Sequence, residues 1–455
     1  MQQLTLLIAV GACTLIFFLP PIWWLVVYVA TLAWYPSYLT IQVGTLDFSV
    51  ARIVILVIYI CLFVHGKLLR YFRFNYLDAW VVIYFVSQIL AGAMTSSFSA
   101  LLEHHAGAAF DMLLPYFAIR AIITDKERYL FFLKTSVYIV APMAIFGFYE
   151  SWTGHNPFGF LREYRAWGIS TDLAPRRGFS RAFFTTSHPI MFGLFFAILA
   201  PIWAGLIYQV RKNKLLCYAG ITLAAIGVFS SMSSGPLAAA LSSAAFIAFY
   251  RFKKYWKLLV AVIILICVAI ELGSDRHFYY YPTRYAFGLS SAWYRGRLVD
   301  IAFFEGGMSG HWLIGYGHAT EEAAMASADW GGRIDGRYRV DMVNEYLLIL
   351  FRYGFIALIP FLAMIYATIK KLIEAWRMSL LDADKWMIWC LAASFAGLLI
   401  GFCTTSLHAG QPTILFFILL GLCGVMPLII SDNNNIMSKR RLTFQYETPD
   451  YQIST

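Results

Sequence analysis

Charge is the scarcest resource in this sequence. Charged residues make up 13% of its 455 positions and apolar ones 60%, where a soluble domain carries about a quarter charged residues. That balance excludes an ordinary soluble enzyme. Cysteine is also sparse, and all seven (Cys13, Cys61, Cys217, Cys267, Cys390, Cys403, Cys423) fall in apolar segments. Such thiols act as small hydrophobes, so neither a disulfide framework nor a metal site is expected. No basic leader and no small-residue cleavage site accompanies the first apolar run, so no cleavable signal peptide is expected either. The net charge of +10 fits loops that face anionic lipid; membrane lipid is the expected partner, and nucleic acid is not.

What remains is apolar runs near the roughly 20 residues that cross a bilayer. Leu4 to Trp34 is apolar throughout and interrupted at Pro20-Pro21, as one broken span or two short ones. Later spans are expected at 48–65, 77–96, 100–120, 129–150, 188–209, 215–231, 235–250, 258–272, 342–369, 386–405 and 412–431. The expected fold is therefore an all-α polytopic membrane protein of 12 or 13 transmembrane helices. Its parts are an N-terminal bundle (1–150), a first polar loop (151–187), central spans (188–272), a large polar loop (273–341), C-terminal spans (342–431) and a tail (432–455).

Lysine is missing from two of these parts. Lys67, Lys126, Lys212, Lys214, Lys253, Lys254, Lys257, Lys370, Lys371 and Lys385 fall in or beside alternate short loops, which reads as the cytoplasmic side. The two long loops on the opposite side hold no lysine but do hold arginine: Arg162, Arg165, Arg176, Arg177 and Arg181 in the first, and Arg276, Arg284, Arg295, Arg297, Arg333, Arg337 and Arg339 in the second. The planar guanidinium binds phosphate or carboxylate oxygens in pairs and is weakly hydrated. A pyrophosphate or an acidic sugar fits that pattern, with the loops' own acids as competing partners.

Four motifs follow in order. Arg177-Gly-Phe-Ser-Arg181 leads to His188-Pro189 at the start of a span. Gly296-Arg297 opens a second, Trp312-Leu-Ile-Gly315-Tyr-Gly317 forms a third, and Asn344-Glu345-Tyr346-Leu347 begins a helix that contains Arg352-Tyr353-Gly354. Together they resemble the O-antigen ligase and Wzy polymerase superfamily of bacterial envelope proteins, and within it the exopolysaccharide polymerases. The resemblance covers about 170–425. It departs from the family where Ser233-Ser234-Gly235 replaces a Ser-Arg-Gly, and where Val343 replaces the ligases' histidine before Asn344. The second departure favours a polymerase over a ligase. A flippase is the reading from another class, but no internal repeat supports it.

The resemblance implies a glycosyltransferase of the inner membrane whose active site, capped by the two loops, faces the periplasm. It implies an undecaprenyl-pyrophosphate-linked oligosaccharide as substrate, chain-length regulators or export proteins as partners, and neither a metal nor a cofactor. Catalysis then needs cations for the leaving pyrophosphate and a base for the acceptor hydroxyl. Arg297, on the family's "GR" motif, is the first expected pyrophosphate ligand, with a salt bridge to Asp300 as its structural alternative. Arg177, Arg181, His188, Arg295, Asn344 and Arg352 are expected to bind substrate. His188 and Asn344 have local hydrogen bonding and helix capping as alternatives. Arg352, set inside a span, should line a polar cavity or have a partner. Asp341 and Glu345 complete the expected catalytic set, and Glu305 and His311 are further candidate bases. Glu103, His104, His105 and Asp111 make a poor metal set, because adjacent histidines diverge on a helix; they are expected to line a polar cavity instead.

Overall fold

The computed structural model describes residues 2–36, 38–70, 72–164, 173–210, 213–285, 289–317, 332–334, 337–339, 342–407 and 410–447. Among these residues the structure is helical apart from two short hairpins. Its helices are α1 (Gln2–Phe18), α2 (Pro21–Trp34), α3 (Val50–Val64), α4 (Lys67–Arg70), α5 (Tyr76–Thr95), α6 (Phe98–Asp111), α7 (Leu113–Ile122), α8 (Lys126–Thr153), α9 (Pro189–Gly205), α10 (Lys214–Ser230), α11 (Ser234–Ala248), α12 (Trp256–Gly273), α13 (Leu289–Phe303), α14 (Glu345–Met378), α15 (Asp382–Phe402) and α16 (Gln411–Glu447). Two antiparallel hairpins, which the sequence pattern did not predict, are β1–β2 (Thr40–Val43 with Leu46–Ser49) and β3–β4 (Gly332–Ile334 with Arg337–Arg339).

Among the described residues six helical stretches are long and apolar enough to cross a membrane: Tyr76–Thr95, Lys126–Thr153, Ser234–Gly273, Glu345–Met378, Asp382–Phe402 and Gln411–Ile436. Shorter apolar helices accompany them, α1, α2, α3, α9 and α10. Their outward faces carry Leu7, Phe17, Phe18, Ile60, Phe63 and Leu265, all exposed. Water would not tolerate so apolar an exterior, and lipid requires one. No residue of α12 is buried.

Local sequence sets the helix ends. Asn75 and Asp78 form a capping box at α5, Ser49 caps α3 and Asp125 caps α8. Pro20-Pro21 splits the first apolar run into two helices that turn back on each other. The Thr5 hydroxyl meets that of Tyr35 at 2.7 Å, while the opposite end of α2 places Trp24 against His65. The stretch expected as one span at 100–120 is likewise two helices, broken at Met112.

The lysine-bearing segments meet at one end of the bundle. Lys126 pairs with the buried Asp384 at 2.5 Å, and Gln209 and Asn433 donate to the same carboxylate. Lys370 and Lys371 sit over the Tyr76 ring, and Lys253 over Trp376. Nearby, Arg120 clasps Asp78 through Nε (2.9 Å) and Nη2 (3.0 Å) and also donates to the Gly424 carbonyl, tying α5, α7 and α16 together. At the opposite end lie the β1–β2 hairpin, the two arginine-bearing loops and the cavity described next.

Candidate functional site

The site begins with a broken helix. At Gly354 the backbone of α14 leaves helical geometry (φ 62°, ψ −164°), a conformation open to glycine alone. Two carbonyls thereby lose their helical partners, and the Trp312–Gly317 turn supplies replacements. Tyr316 N donates to Phe351 O (2.7 Å) and Gly317 N to Arg352 O (3.0 Å). In return Phe355 N and Ile356 N donate to Trp312 O and Leu313 O. The approach is so close that a Cβ at Gly315 would lie 2.5 Å from the Arg352 carbonyl carbon, and one at Gly354 would overlap Leu313. Trp312 stacks on Phe355 and Tyr316 on Phe351. The two glycine motifs, far apart in sequence, are therefore halves of one joint. That joint fixes the turn of helix bearing Arg352.

Arg352 faces a cavity of about 230 Å³. Glu345, seven residues earlier and so on the same helix face, lines it with Arg52, Glu103, His104 and Asp111. Arg52 grips Asp111 through two of its three guanidinium nitrogens, Nε to Oδ1 at 3.0 Å and Nη2 to Oδ2 at 2.6 Å. Its remaining nitrogen donates to the Asp47 carbonyl (2.7 Å), and Gly410 N donates to Asp111 Oδ2 (3.0 Å). His104 Nε2 meets the Tyr353 hydroxyl at 3.1 Å. Glu345 is buried and accepts Leu407 N at 2.5 Å. The cavity thus joins two arginines to four carboxylates, Asp47 among them, at the edge of an apolar bundle. Arg352, Glu103, His104 and Asp111 line a polar cavity as expected, whereas His105 is buried against Phe85 outside that lining.

A cap packs over this helix. Leu298, Ile301 and Ala302 of α13 join Leu347, Leu348 and Phe351 of α14 in a second apolar cluster. From α13, Arg295 reaches down to the Thr404 carbonyl (2.8 Å), close in sequence to Leu407 and Gly410, whose N–H groups donate to Glu345 and Asp111. Arg297 turns the other way and pairs with Glu305 outside the cavity lining. The expected alternative partner, Asp300, is occupied: it accepts from both Tyr279 and Tyr280. Burial and the shared carboxylate hold both phenols above their usual range, so they remain donors. Gly296 is fixed because the Tyr280 ring lies against it.

The first loop is held by a residue that the sequence pattern did not single out. Buried Glu150, at the end of α8, accepts from Phe183 N, Phe184 N and Asn156 Nδ2, and pairs with Arg162 at 3.4 Å. Within the loop, Arg181 donates to Ser233 Oγ (3.0 Å), and Arg177 occupies a left-handed turn position (φ 52°) between the bridged Arg176 and Phe179. His188 caps α9, its Nδ1 accepting from Ile190 N at 3.1 Å. Asn344 caps α14 by accepting from Leu347 N, and donates to Cys403 O. For these two the local alternatives describe what the side chains do. None of Arg177, Arg181, His188, Arg295 and Asn344 lines the cavity. His311 stacks on Tyr316, and Asp341 lies outside the described residues.

The structure thus brings together Glu345 and Arg352 from the expected set and adds Arg52 and Asp47. Arg52 stands at the loop end of an apolar helix whose far end leads to Lys67, the same arginine-for-lysine bias that marks the two loops. No protein-family model matches the chain, and no curated protein matches it in sequence.

Proposed function

We propose that the chain is a polysaccharide polymerase. It joins oligosaccharide units carried on undecaprenyl pyrophosphate, with its cavity opening to the periplasmic face of a bacterial inner membrane. The observation that carries this reading is the placement of Arg352, Arg52 and Glu345 in one cavity, the first and last on a helix against which α13 of the large lysine-free loop packs. In this reading α1, α2, α3, α5, α6 with α7, α8 to α12 and α14 to α16 give thirteen crossings. An odd number sets the N-terminus on the cavity side and the lysine-rich end, with Lys439, Arg440 and Arg441, in the cytoplasm.

The chemistry is a displacement at the anomeric carbon. The acceptor hydroxyl forms a bond to that carbon as its bond to the pyrophosphate oxygen breaks, and the pyrophosphate leaves with the electron pair. Preorganised cations stabilise the charge that develops there. Arg352 is set to do so from within the cavity, while Arg52, paired with Asp111, forms part of its wall. Arg297, partly exposed in its pair with Glu305, is the arginine that a phosphate could draw from the cap. The hydroxyl proton passes to a cavity carboxylate, for which Glu345 shares a helix face with Arg352. A ligase would run the same displacement onto a different acceptor, and Val343 in place of the family histidine favours the polymerase.

The test is the lipid-linked glycan that accumulates when the protein is lost. Single repeat units on the lipid carrier are expected. Accumulation of fully polymerised lipid-linked glycan would show a ligase, and no change in any lipid-linked glycan would overturn the reading.

A further inference from the structure

The glycine turn that clasps α14 carries an exposed apolar surface. Phe303 and Leu313 are both exposed, Leu313 by 63%. The Phe303 ring packs on that of Trp312 at 5.5 Å, and Trp312 stacks on Phe355. Phe355 is the first member of a stripe along α14: Phe355, Ile359, Leu362, Tyr366 and Ile369 are all exposed at helical spacing. On a helix long and apolar enough to cross a membrane, such a stripe faces lipid. The turn extends that same surface sideways onto the large loop. On the loop's other side Phe304 stacks on His277, just beyond α12, in which no residue is buried.

Height along α14 decides whether this surface meets lipid or water. Lys370, at the lysine-bearing end, follows Phe355 by fifteen residues, a rise of about 23 Å. The hydrocarbon core is about 30 Å thick, and a tilt of the helix brings Phe355 lower still. With the lysines at one edge of the core, Phe355, Trp312 and Leu313 fall inside the other edge. Gly317 gives an independent level. A Cβ on it would lie 2.6 Å from Thr95 Oγ1, and Thr95 ends α5, whose 20 residues rise about 30 Å from the same lysine-bearing end. Gly317, bonded to Arg352, is therefore at the boundary, and Phe355 with Trp312 is about 5 Å deeper.

Irregular backbone is tolerated at that depth only where the protein itself satisfies its polar groups. Tyr316 N and Gly317 N donate to α14, Trp312 O and Leu313 O accept from it, and Gly315 N donates to His311 O. The polar neighbours have partners of their own, Glu305 in its pair with Arg297 and His311 in its stack on Tyr316.

We propose that Phe303, Trp312 and Leu313 form a membrane anchor, an apolar tip through which the large loop enters the acyl chains of the leaflet on the cavity side. Tryptophan suits that boundary, and a tip of this depth matches an interfacial anchor and not a span. Under the polymerase reading above, the anchor holds Arg352 at the height of the lipid carrier's pyrophosphate; the contact with acyl chains does not depend on that reading.

The test places p-benzoylphenylalanine at Leu313 or at Phe303 in the full-length protein, in nanodiscs of phosphatidylethanolamine and phosphatidylglycerol, and reads photo-adducts by intact mass. The same substitution at Ile359 is the lipid-facing reference. Phospholipid adducts are expected at both positions with at least about half the yield found at Ile359. A lower yield at either position, or a chain-to-chain adduct that puts a second copy on the patch, overturns the anchor. Leu313→Glu should lift the tip and speed amide exchange at Tyr316 and Gly317 about tenfold in the nanodisc, while Leu313→Phe leaves it unchanged. Equal exchange in these two variants means that the tip lies in water and also overturns the anchor. Lipid adducts in a protein that lengthens no lipid-linked glycan leave the anchor standing and remove the polymerase reading.

Discussion

Replacing Asp111 by alanine should be among the most damaging single changes in the molecule. Its carboxylate is 2% exposed and takes three donors: Arg52 Nε, Arg52 Nη2 and Gly410 N. Without it the Arg52 guanidinium keeps only the Asp47 carbonyl among its described partners. Removing one member of a buried pair costs about 3–5 kcal/mol. A loss of about 3 kcal/mol or more is expected for Asp111→Ala, read from SDS-induced unfolding in mixed micelles. The double variant Arg52→Met, Asp111→Leu removes both charges and fills their space. It should recover to within about 1 kcal/mol of the parent, the remaining loss reflecting the orphaned Gly410 N–H. Polymer formation should be absent in both proteins, since both lose an arginine or its anchor. If the double variant is no more stable than Asp111→Ala, the cost does not come from a stranded charge and the reasoning fails.

Two further outcomes follow from the joint and the cap. Gly354→Ala places a Cβ against Leu313 in a backbone conformation closed to alanine. It should separate the Trp312–Gly317 turn from α14, seen as faster amide exchange at Tyr316 and Gly317, and polymer formation should fall at least tenfold with every site side chain intact. Arg297→Ala breaks a pair with 31% and 42% exposed side chains, and such pairs are worth about 0–1 kcal/mol. Protein level should stay unchanged while polymer disappears; normal polymer in that strain would remove Arg297 from the chemistry.

The features legible in the sequence are those that repeat or that carry unusual cost. Apolar runs announced an all-α chain with helices fit for a bilayer. The cost of a charge inside a span announced that Arg352 would line a polar cavity. Asn344 and His188 turned out to be caps, an outcome already open from their positions before helices. The rest has no local signal. Gly315 and Gly354 stood out as parts of two motifs but not as partners, because the four backbone hydrogen bonds that need them join segments about forty residues apart. Arg52 is a single cation at the end of an apolar run, and its partner Asp111 lies 59 residues away. The stretch after Phe402 resembled a plain connection between spans, although the Cys403 and Thr404 carbonyls accept from Asn344 and Arg295, and Leu407 N and Gly410 N donate to Glu345 and Asp111. Contacts of that kind are written in tertiary structure alone.

The central claim is that this cavity breaks a sugar–pyrophosphate bond to build a polymer. It is tested most directly by reconstituting the purified protein in liposomes with an undecaprenyl-pyrophosphate oligosaccharide and resolving the products by gel. The parent protein should produce a ladder of lengthening chains, and Arg352→Gln, equally folded by SDS unfolding, should produce none. An unaltered ladder from Arg352→Gln, or movement of the lipid-linked sugar across the bilayer with no lengthening by the parent protein, would contradict the account.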